Sequence, residues 1–448
     1  MSQTVEQIRS AGLVGMGGAG FPTHVKLNGK IEHIIINGLE CEPLLGTDRY
    51  AMRHQADQLV SALTKIKNDL KIDKATFCLK KSYTAELAAL KGAIERAGAD
   101  IAIHTTESFY PAGDEQVVVY EVTGRTVPPL NIPLSVGCAV MNIGTLLASY
   151  DAMEGKPLTH RYLTVTGEVK KPTILLVPVG TPFAECIAAA GGATRGNCSI
   201  VSGGPMMGKV FDEADLDTLF VGKTTSGILV LPKERYQAAS VNMQQIKARA
   251  QAACIQCSYC TQLCPRHLLG HPLEPHKIMR KLAYERMENV LTDPIIQSAA
   301  LCCECGICEV YACPMGLQPR SVNALIKKEL GKAGIRYPKS EESTQPNPMR
   351  ESRLAPTKRV AARVGVLPYY GTPPDDCLTL QPIHVELSVR QGIGAPSEPV
   401  VSVGQRVQQG DLIAVCPEGK LGANLHASIT GVVRGVGERI VLEREDSK

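Results

Sequence analysis

The sequence predicts a four-part mixed α/β protein: an α/β domain, a small α+β unit, a helical segment carrying two cysteine runs, and a small β-rich tail. Three observations predict it. Over residues 1–155 short apolar runs alternate with helical patterns. Between 240 and 335 the cysteine runs stand among helical stretches. From 381 to 448 the chain is dense in Val, Gly and turn residues.

Taken in order, residues 1–10 read as a short helix with Val5 and Ile8 on one side. Ile34-Ile35-Ile36 and Ala75–Leu79 read as buried strands, and Ala85–Ala97 as a helix, so a largely parallel sheet is expected in 1–155. In 160–231, Tyr162–Gly167 and Thr173–Val179 read as paired strands, and Pro182–Ala190 as a helix stopped by Gly191-Gly192. Lys277–Glu288 and Arg320–Leu330 read as the helices flanking the cysteine runs. The Pro-, Ser- and charge-rich stretch 336–380 reads as a linker, and 381–448 as a small β-barrel.

The cysteines carry the strongest chemical signal. Cys254, Cys257, Cys260 and Cys264-Pro265 have the C-x2-C-x2-C-x3-C-P spacing that holds [4Fe–4S] cubes, and Cys302, Cys305, Cys308 and Cys313-Pro314 nearly repeat it. Three thiolates on one tight loop reach three irons, and the fourth comes from the other run. Crossing them gives Cys254, Cys257, Cys260 and Cys313 to one cluster, and Cys302, Cys305, Cys308 and Cys264 to the other. Structural zinc uses paired C-x2-C steps rather than three evenly spaced cysteines with a distal Cys-Pro. Disulfides suit small secreted chains. The second run has four residues rather than three before its last cysteine, which puts strain on the role of Cys313. Cys303 competes with Cys302 for one corner, and the C-x2-C step to Cys305 favours Cys302.

Composition sets the outer bounds. With 448 residues, 44% hydrophobic and 21% charged, the chain can bury several cores. The net charge of +4, the absence of Trp and an aromatic content of 4% give no basic, aromatic-interleaved surface for nucleic acid. No apolar run nears the roughly 18 residues of a membrane span, and the first residues lack an export-signal profile, so a soluble intracellular protein is expected.

Gly15-Met16-Gly17-Gly18-Ala19-Gly20 is the second chemical signal. It contains G-x-G-x-x-G with Glu40 twenty residues on, yet no strand precedes it, which rules out the simple dinucleotide fingerprint. Glycines let backbone amides approach a phosphate, with Lys26 as a cationic partner; a plain tight turn fits this segment alone equally well.

Residues 15–26, Gly-Met-Gly-Gly-Ala-Gly-Phe-Pro-Thr-His-Val-Lys, resemble the flavin loop shared by the complex I flavoprotein subunit and the RnfC proteins of the Rnf complex. Asn37-Gly-Leu-Glu40-Cys-Glu42, Tyr110-Pro-Ala-Gly113-Asp114-Glu115 and Val140-Met141-Asn142 match further segments of that family in order. Residues 160–231, with Gly203–Gly208, resemble its SLBB-type β-grasp domain. Together with the β-rich tail, the closest form is similar to the cobalamin-reductase branch found with propanediol-utilisation microcompartments. The resemblance implies an FMN-binding α/β domain, a β-grasp domain, a two-cluster ferredoxin-like domain and a barrel-sandwich tail. It implies FMN held by Gly15, Gly17, Gly18, Gly20 and Lys26. Asn37, Tyr110, Gly113, Asp114, Glu115 and Asn142 would line the site, and Glu40 and Glu42 would act in it. Met16, Met141 and Leu27-Asn28-Gly29 depart from the family pattern in a way that weakens tight NADH binding more than FMN binding.

The implied activity is transfer of electrons from NADH through FMN and two [4Fe–4S] clusters to cobalamin or its adenosyltransferase. The location is the cytoplasm, inside a bacterial microcompartment with shell proteins as partners. The rival readings are transfer to a ferredoxin or flavodoxin that supports a glycyl-radical enzyme, and a non-catalytic cluster-bearing scaffold. No lysine sits on a biotinyl-type hairpin in the tail, and no D-x-H-x-x-G cobalamin motif is present, so cobalamin would be a transient substrate. Cys41 lies near the expected flavin but more readily serves as a small buried residue, like Cys78, Cys138, Cys186, Cys198, Cys377 and Cys416. His267, His271 and His276 read as solvated or capping groups.

Overall fold

Three consecutive isoleucines, fully buried, form the centre of the first sheet. In this computed structural model, which describes residues 2–236, 242–284 and 287–445, they belong to β1 (His33–Asn37). That strand lies between β2 (Lys74–Lys80) and β5 (Cys138–Asn142), with β3 (Ala102–Thr106) beyond β2, and all four run parallel. A central parallel strand is covered on both faces, which is why it reads as an unbroken apolar run. Each such isoleucine contributes about 1.5–3 kcal/mol by burial.

Before β1 come α1 (Gln3–Ser10), with Val5 and Ile8 buried as expected, and the short α2 (Thr23–Lys26). The crossovers are α3 (Thr47–His54), α4 (Ala56–Asp69) and α5 (Thr84–Ala97). After β3 the chain forms β4 (Phe109–Tyr110) and α6 (Glu115–Thr123), then β5 and α7 (Ile143–Met153). The sheet order β3-β2-β1-β5 means the chain builds outward from β1 and then returns to its other side.

The second unit has β6 (His160–Gly167) and β7 (Thr173–Pro178) as an antiparallel pair, α8 (Phe183–Ala189), then β8 (Cys198–Ser202), β9 (Lys209–Asp212) and β10 (Gly227–Pro232). β10 runs parallel to β6, and Leu163, Val177, Phe183, Ile187 and Val230 pack between sheet and helix.

The cysteine segment is helical: α9 (Met243–Ala253), α10 (Tyr259–Gln262), α11 (Pro265–Leu268), α12 (Pro275–Tyr284), α13 (Pro294–Gln297) and α14 (Pro319–Lys332). The helix expected over Lys277–Glu288 is described to Tyr284; residues 285 and 286 lie outside the described residues. Ile246, Leu282, Ile296, Val322 and Ile326 form this segment's own core.

The stretch 336–380 departs from the linker expectation. It adds β11 (Ala355–Pro356) antiparallel to β4, then α15 (Thr357–Arg363), then β12 (Cys377–Thr379) parallel to β7. Buried Arg350 pairs with Glu121 and Glu351 and lies 4.6 Å over the Tyr120 ring. Strands of two or three residues leave no periodic pattern in the sequence, since the sheet edge that receives them supplies their order. The tail makes two sheets: β13 (His384–Ser388), β19 (Arg439–Glu443), β18 (Gly431–Val436) and β15 (Arg406–Val407) in one, and β14 (Glu398–Pro399), β16 (Leu412–Val415) and β17 (Leu425–His426) in the other. They close over Val385, Leu387, Ile413, Val433 and Leu442, with Val179 of the second unit in the same core. No helix among the described residues is long and apolar enough to cross a membrane.

Candidate redox site

The return of the chain to β5 makes the gap between β1 and β5 a topological switch point, and ligands of open parallel sheets bind outside the carboxyl ends of strands at such points. Asn37 and Asn142 end the two strands in direct register. Asn142 caps α7, accepting from Gly144 N at 2.9 Å, and donates to Asp48 Oδ2 at 2.6 Å. Asn37 donates to the Gly113 carbonyl at 2.9 Å. Lys26 donates to the Val140 carbonyl at 2.9 Å and forms an ion pair with Glu115. Gly17 lies against Asn142: a Cβ there would stand 2.9 Å from the Asn142 Cβ, whereas Gly18 faces open space. Gly17, Lys26, Asn37, Gly113, Glu115 and Asn142 are therefore linked around the carboxyl ends of β1 and β5, the crevice of the switch point, with Gly18 next in the loop and open to it. A side-chain-free loop pressed against the Asn142 cap of α7, with an open glycine next to it and a lysine nearby, fits a phosphate-bearing flavin.

Other expected residues stand elsewhere. Gly15 closes the loop by donating to the Phe21 carbonyl at 2.8 Å. Gly20 abuts Gly392 of the tail, and Ile393 N donates to the Ala19 carbonyl at 3.1 Å, so its small size serves domain packing. The two glutamates expected to act in the site bind backbone. Glu40 accepts from Thr47 Oγ1 and Asp48 N, each at 3.2 Å, at the start of α3. Glu42 accepts from Met206 N at 2.9 Å and Met207 N at 2.8 Å, clamping the 203–208 loop of the second unit. Burial pushes Glu42 up to about 7 against the pull of those amides and Arg320. Burial also raises Glu40 and Asp48, and the charge of Glu40 adds to the rise of Asp48.

Both cysteine loops wrap in the same way. Gln256 and Ser258 have φ of 57° and 61° around Cys257; Glu304 and Gly306 have 58° and 81° around Cys305. That repeat aligns Cys302 with Cys254 and Cys303 with Ile255. The odd spacing of the second run has a local cause. Cys260 and Cys264 are four apart around the α-turn of α10, whereas Cys308 and Cys313 are five apart around a π-turn, Ile307–Ala312. The wider i→i+5 turn takes up the extra residue. Cys313 then lines one small cavity with Cys254, Cys257 and Cys260. Cys308 is pushed up by burial and by the nearby Cys302, Cys264 and Cys260 thiols, so the second thiol set lies beside the first. Among the described residues no three His, Cys, Asp or Glu side chains converge on a single-ion site. Cys254, Cys257, Cys260 and Cys313 gather around that cavity, while Cys264, Cys302, Cys303, Cys305 and Cys308 lie close enough to act on one another's charges; thiols gathered in this way suit clusters rather than a single ion.

The second set touches the flavin-side domain. Tyr110 Oη donates to the Cys305 carbonyl at 2.6 Å, and Asp114 receives both Arg266 nitrogens, at 2.6 and 2.9 Å. Against the upward push of burial, Arg266 and two helix amides hold the Asp114 carboxyl low. Cys41 packs with Tyr110, Cys303 and Cys305, and its Sγ would lie 3.1 Å from a Cβ on Gly113. Burial and the charge of Glu42 push its thiol up to about 12, so it stays protonated. His271 is not solvated but buried, paired with the Val127 carbonyl at 2.9 Å. Sequence reasoning missed Asp48, Arg266 and Arg161, the last buried and donating to the Met16 carbonyl at 3.0 Å. Only Arg266, directly after Cys264-Pro265, carried a local signal.

Fold and site together define an oxidoreductase that transfers electrons through flavin and iron–sulfur centres. Residues 8–151 match the family model of the Nuo51 FMN-binding domain, 162–210 the SLBB domain, 253–318 the 4Fe-4S dicluster domain and 379–448 the RnfC barrel sandwich hybrid domain. Cobalamin reductase PduS of Salmonella typhimurium is 39% identical over 443 residues, covering 97% of this chain and 95% of that protein. PduS of Citrobacter freundii is 38% identical over 445 residues, covering 98% and 96%. A component of the proton-translocating ferredoxin:NAD(+) oxidoreductase complex of Clostridium ljungdahlii is 38% identical over 267 residues, 58% of this chain and 55% of that one. The chain belongs to the PduS cobalamin reductase family.

Proposed function

We propose that the protein passes electrons from NADH by way of FMN and two [4Fe–4S] clusters to cobalamin. The observation that carries this reading is the segment 110–115, which spans from the crevice to the cysteine loops: Gly113 and Glu115 meet Asn37 and Lys26, while Tyr110 and Asp114 meet Cys305 and Arg266. In the crevice the Gly17 and Gly18 backbone, Lys26 and Asn142 hold the phosphate end of FMN. Asn37, Gly113 and Glu115 line the rest, and Gly15, Gly20, Tyr110 and Asp114 brace the cradle from behind. Glu40 and Glu42 fix α3 and the 203–208 loop rather than react. Cys254, Cys257, Cys260 and Cys313 hold one cluster, and Cys264, Cys302, Cys305 and Cys308 the other. FMN supplies the conversion of a two-electron hydride into single electrons, and the clusters carry them one at a time.

The second thiol set is proximal to the crevice and the first is distal. Around the distal set Ile255, Tyr259 and Met315 are 62%, 52% and 42% exposed, an exit beside which an acceptor can dock. The PduS relatives, cobalamin reductases by name, support cobalamin as that acceptor, and the resemblance of the motifs implies a cytoplasmic site inside a bacterial microcompartment with shell proteins as neighbours. The Rnf-type relative, a ferredoxin:NAD(+) oxidoreductase component by name, favours ferredoxin instead, and flavodoxin is the chemically equivalent alternative. The test is anaerobic: with flavin and clusters reconstituted, NADH bleaches the flavin band, and cob(III)alamin is then reduced faster than ferredoxin. Bleaching with transfer only to ferredoxin refutes cobalamin as acceptor; no bleaching refutes NADH as donor. Co-fractionation with shell proteins checks the location.

A further inference from the structure

We infer that the Asp114–Arg266 pair is a charge regulator of the proximal cluster, setting how readily that cluster takes its electron; the inference rests on the assignment of Cys264, Cys302, Cys305 and Cys308 to that cluster. The pair crosses the seam between the flavin-side domain and the cysteine loops. It is bidentate, at 2.6 and 2.9 Å, and both side chains are nearly withdrawn from water, 11% exposed for Arg266 and 14% for Asp114. Arg266 follows Cys264 by two residues, and the thiols of Cys264 and Cys303 lie close enough for their charges to act on it. Asp114 comes from the same six-residue segment that supplies Gly113 and Glu115 to the crevice.

A bolt between domains does not need a buried ion pair, since apolar contacts hold as well without desolvating two charges. What charges add is a field on the neighbouring redox centre. Reducing a cluster adds one electron, hence one negative charge, with no proton in the balance. A guanidinium beside its thiolates favours the reduced form, and the paired carboxylate offsets part of that effect. The two residues are thus opposed in sign by construction. His271, packed against them, is held neutral by burial and by the Arg266 charge, its pKa lowered to about 4, so it adds no charge near neutrality, and the Cys303 thiol also faces the pair, where the two charges act on it with opposite sign.

The test is a redox titration followed by electron paramagnetic resonance on the full chain with flavin and clusters reconstituted. Asp114→Asn keeps the helix cap, because Asn caps as well as Asp, and removes one negative charge. The signal of one cluster moves to higher potential, about tenfold in its share of a single electron, which is about 59 mV. Arg266→Gln moves the same signal to lower potential by a similar amount, and Arg266→Lys leaves it near the wild-type position. The other cluster's signal stays in place. Shifts of the same sign in Asp114→Asn and Arg266→Gln, equal movement of both clusters, or no movement overturns the inference and leaves the pair a structural bolt. If Arg266→Gln fails to assemble clusters, Asp114→Asn and Arg266→Lys decide by the same criteria. A wild-type protein lacking two cluster signals refutes the cluster assignment itself, and this inference with it.

Discussion

Glu42 shows how a sequence-level acid becomes a structural one. Its carboxyl, half-buried beneath the 203–208 loop, is raised from 4.5 to about 7. The folded state therefore binds a proton that the unfolded state has released between those values, and stability from this group is present at low pH and lost as pH rises through 7. The unfolding free energy of wild type relative to Glu42→Gln should fall by roughly 3 kcal/mol from pH 4.5 to 7.5, read by urea unfolding at several pH values. At Gly204 a Cβ would stand 2.3 Å from Glu42 Oε2. Gly204→Ala should thus cost about 2 kcal/mol or more and loosen the loop, measurable as faster amide exchange at Met206 and Met207. At Gly17 an added Cβ meets Asn142, so Gly17→Ala should weaken FMN binding at least tenfold by fluorescence titration while leaving the cluster absorption intact.

At the scale of elements, what was legible in the sequence is what is encoded locally. Cysteine spacing is local geometry, so both runs could be read, and the crossed sets follow from the reach of a short loop. Ile34–Ile36 announced a covered parallel strand because its burial needs no partner to be recognised. The illegible parts depend on a partner far along the chain. β11 and β12 exist only against β4 and β7, so 336–380 reads as a linker. Glu40 and Glu42 read as reactive because the amides that engage them lie up to 165 residues away. The displaced Cys313 reads as a weak ligand because a π-turn has no sequence mark of its own. Lengthening that turn should be felt only at the distal cavity: inserting one Ala after Val310 should displace Cys313, removing the signal of the distal cluster by electron paramagnetic resonance while the proximal one remains.

Across the whole molecule the arrangement has a direction. In the proposed electron path the crevice, Cys41 and Tyr110, the proximal thiols, the distal thiols and the exposed trio Ile255, Tyr259 and Met315 follow one another outward. Cys257→Ala should leave the proximal cluster reducible by NADH and abolish delivery to the external acceptor. Cys305→Ala should stop electrons one step earlier, with flavin reduced and the distal cluster still oxidised, as rapid-freeze spectra would show. The strand β12 gives this directionality an unexpected freedom. Because β10 leads into the cysteine segment and β12 returns from it onto the same sheet, that segment is a bight of chain tied down at both ends. Its two anchor points belong to one sheet. A segment of another length can be grafted between β10 and β12 where it keeps the Tyr110–Cys305 and Asp114–Arg266 contacts beside the crevice, so the fold is a socket in which the length of the electron wire is exchangeable.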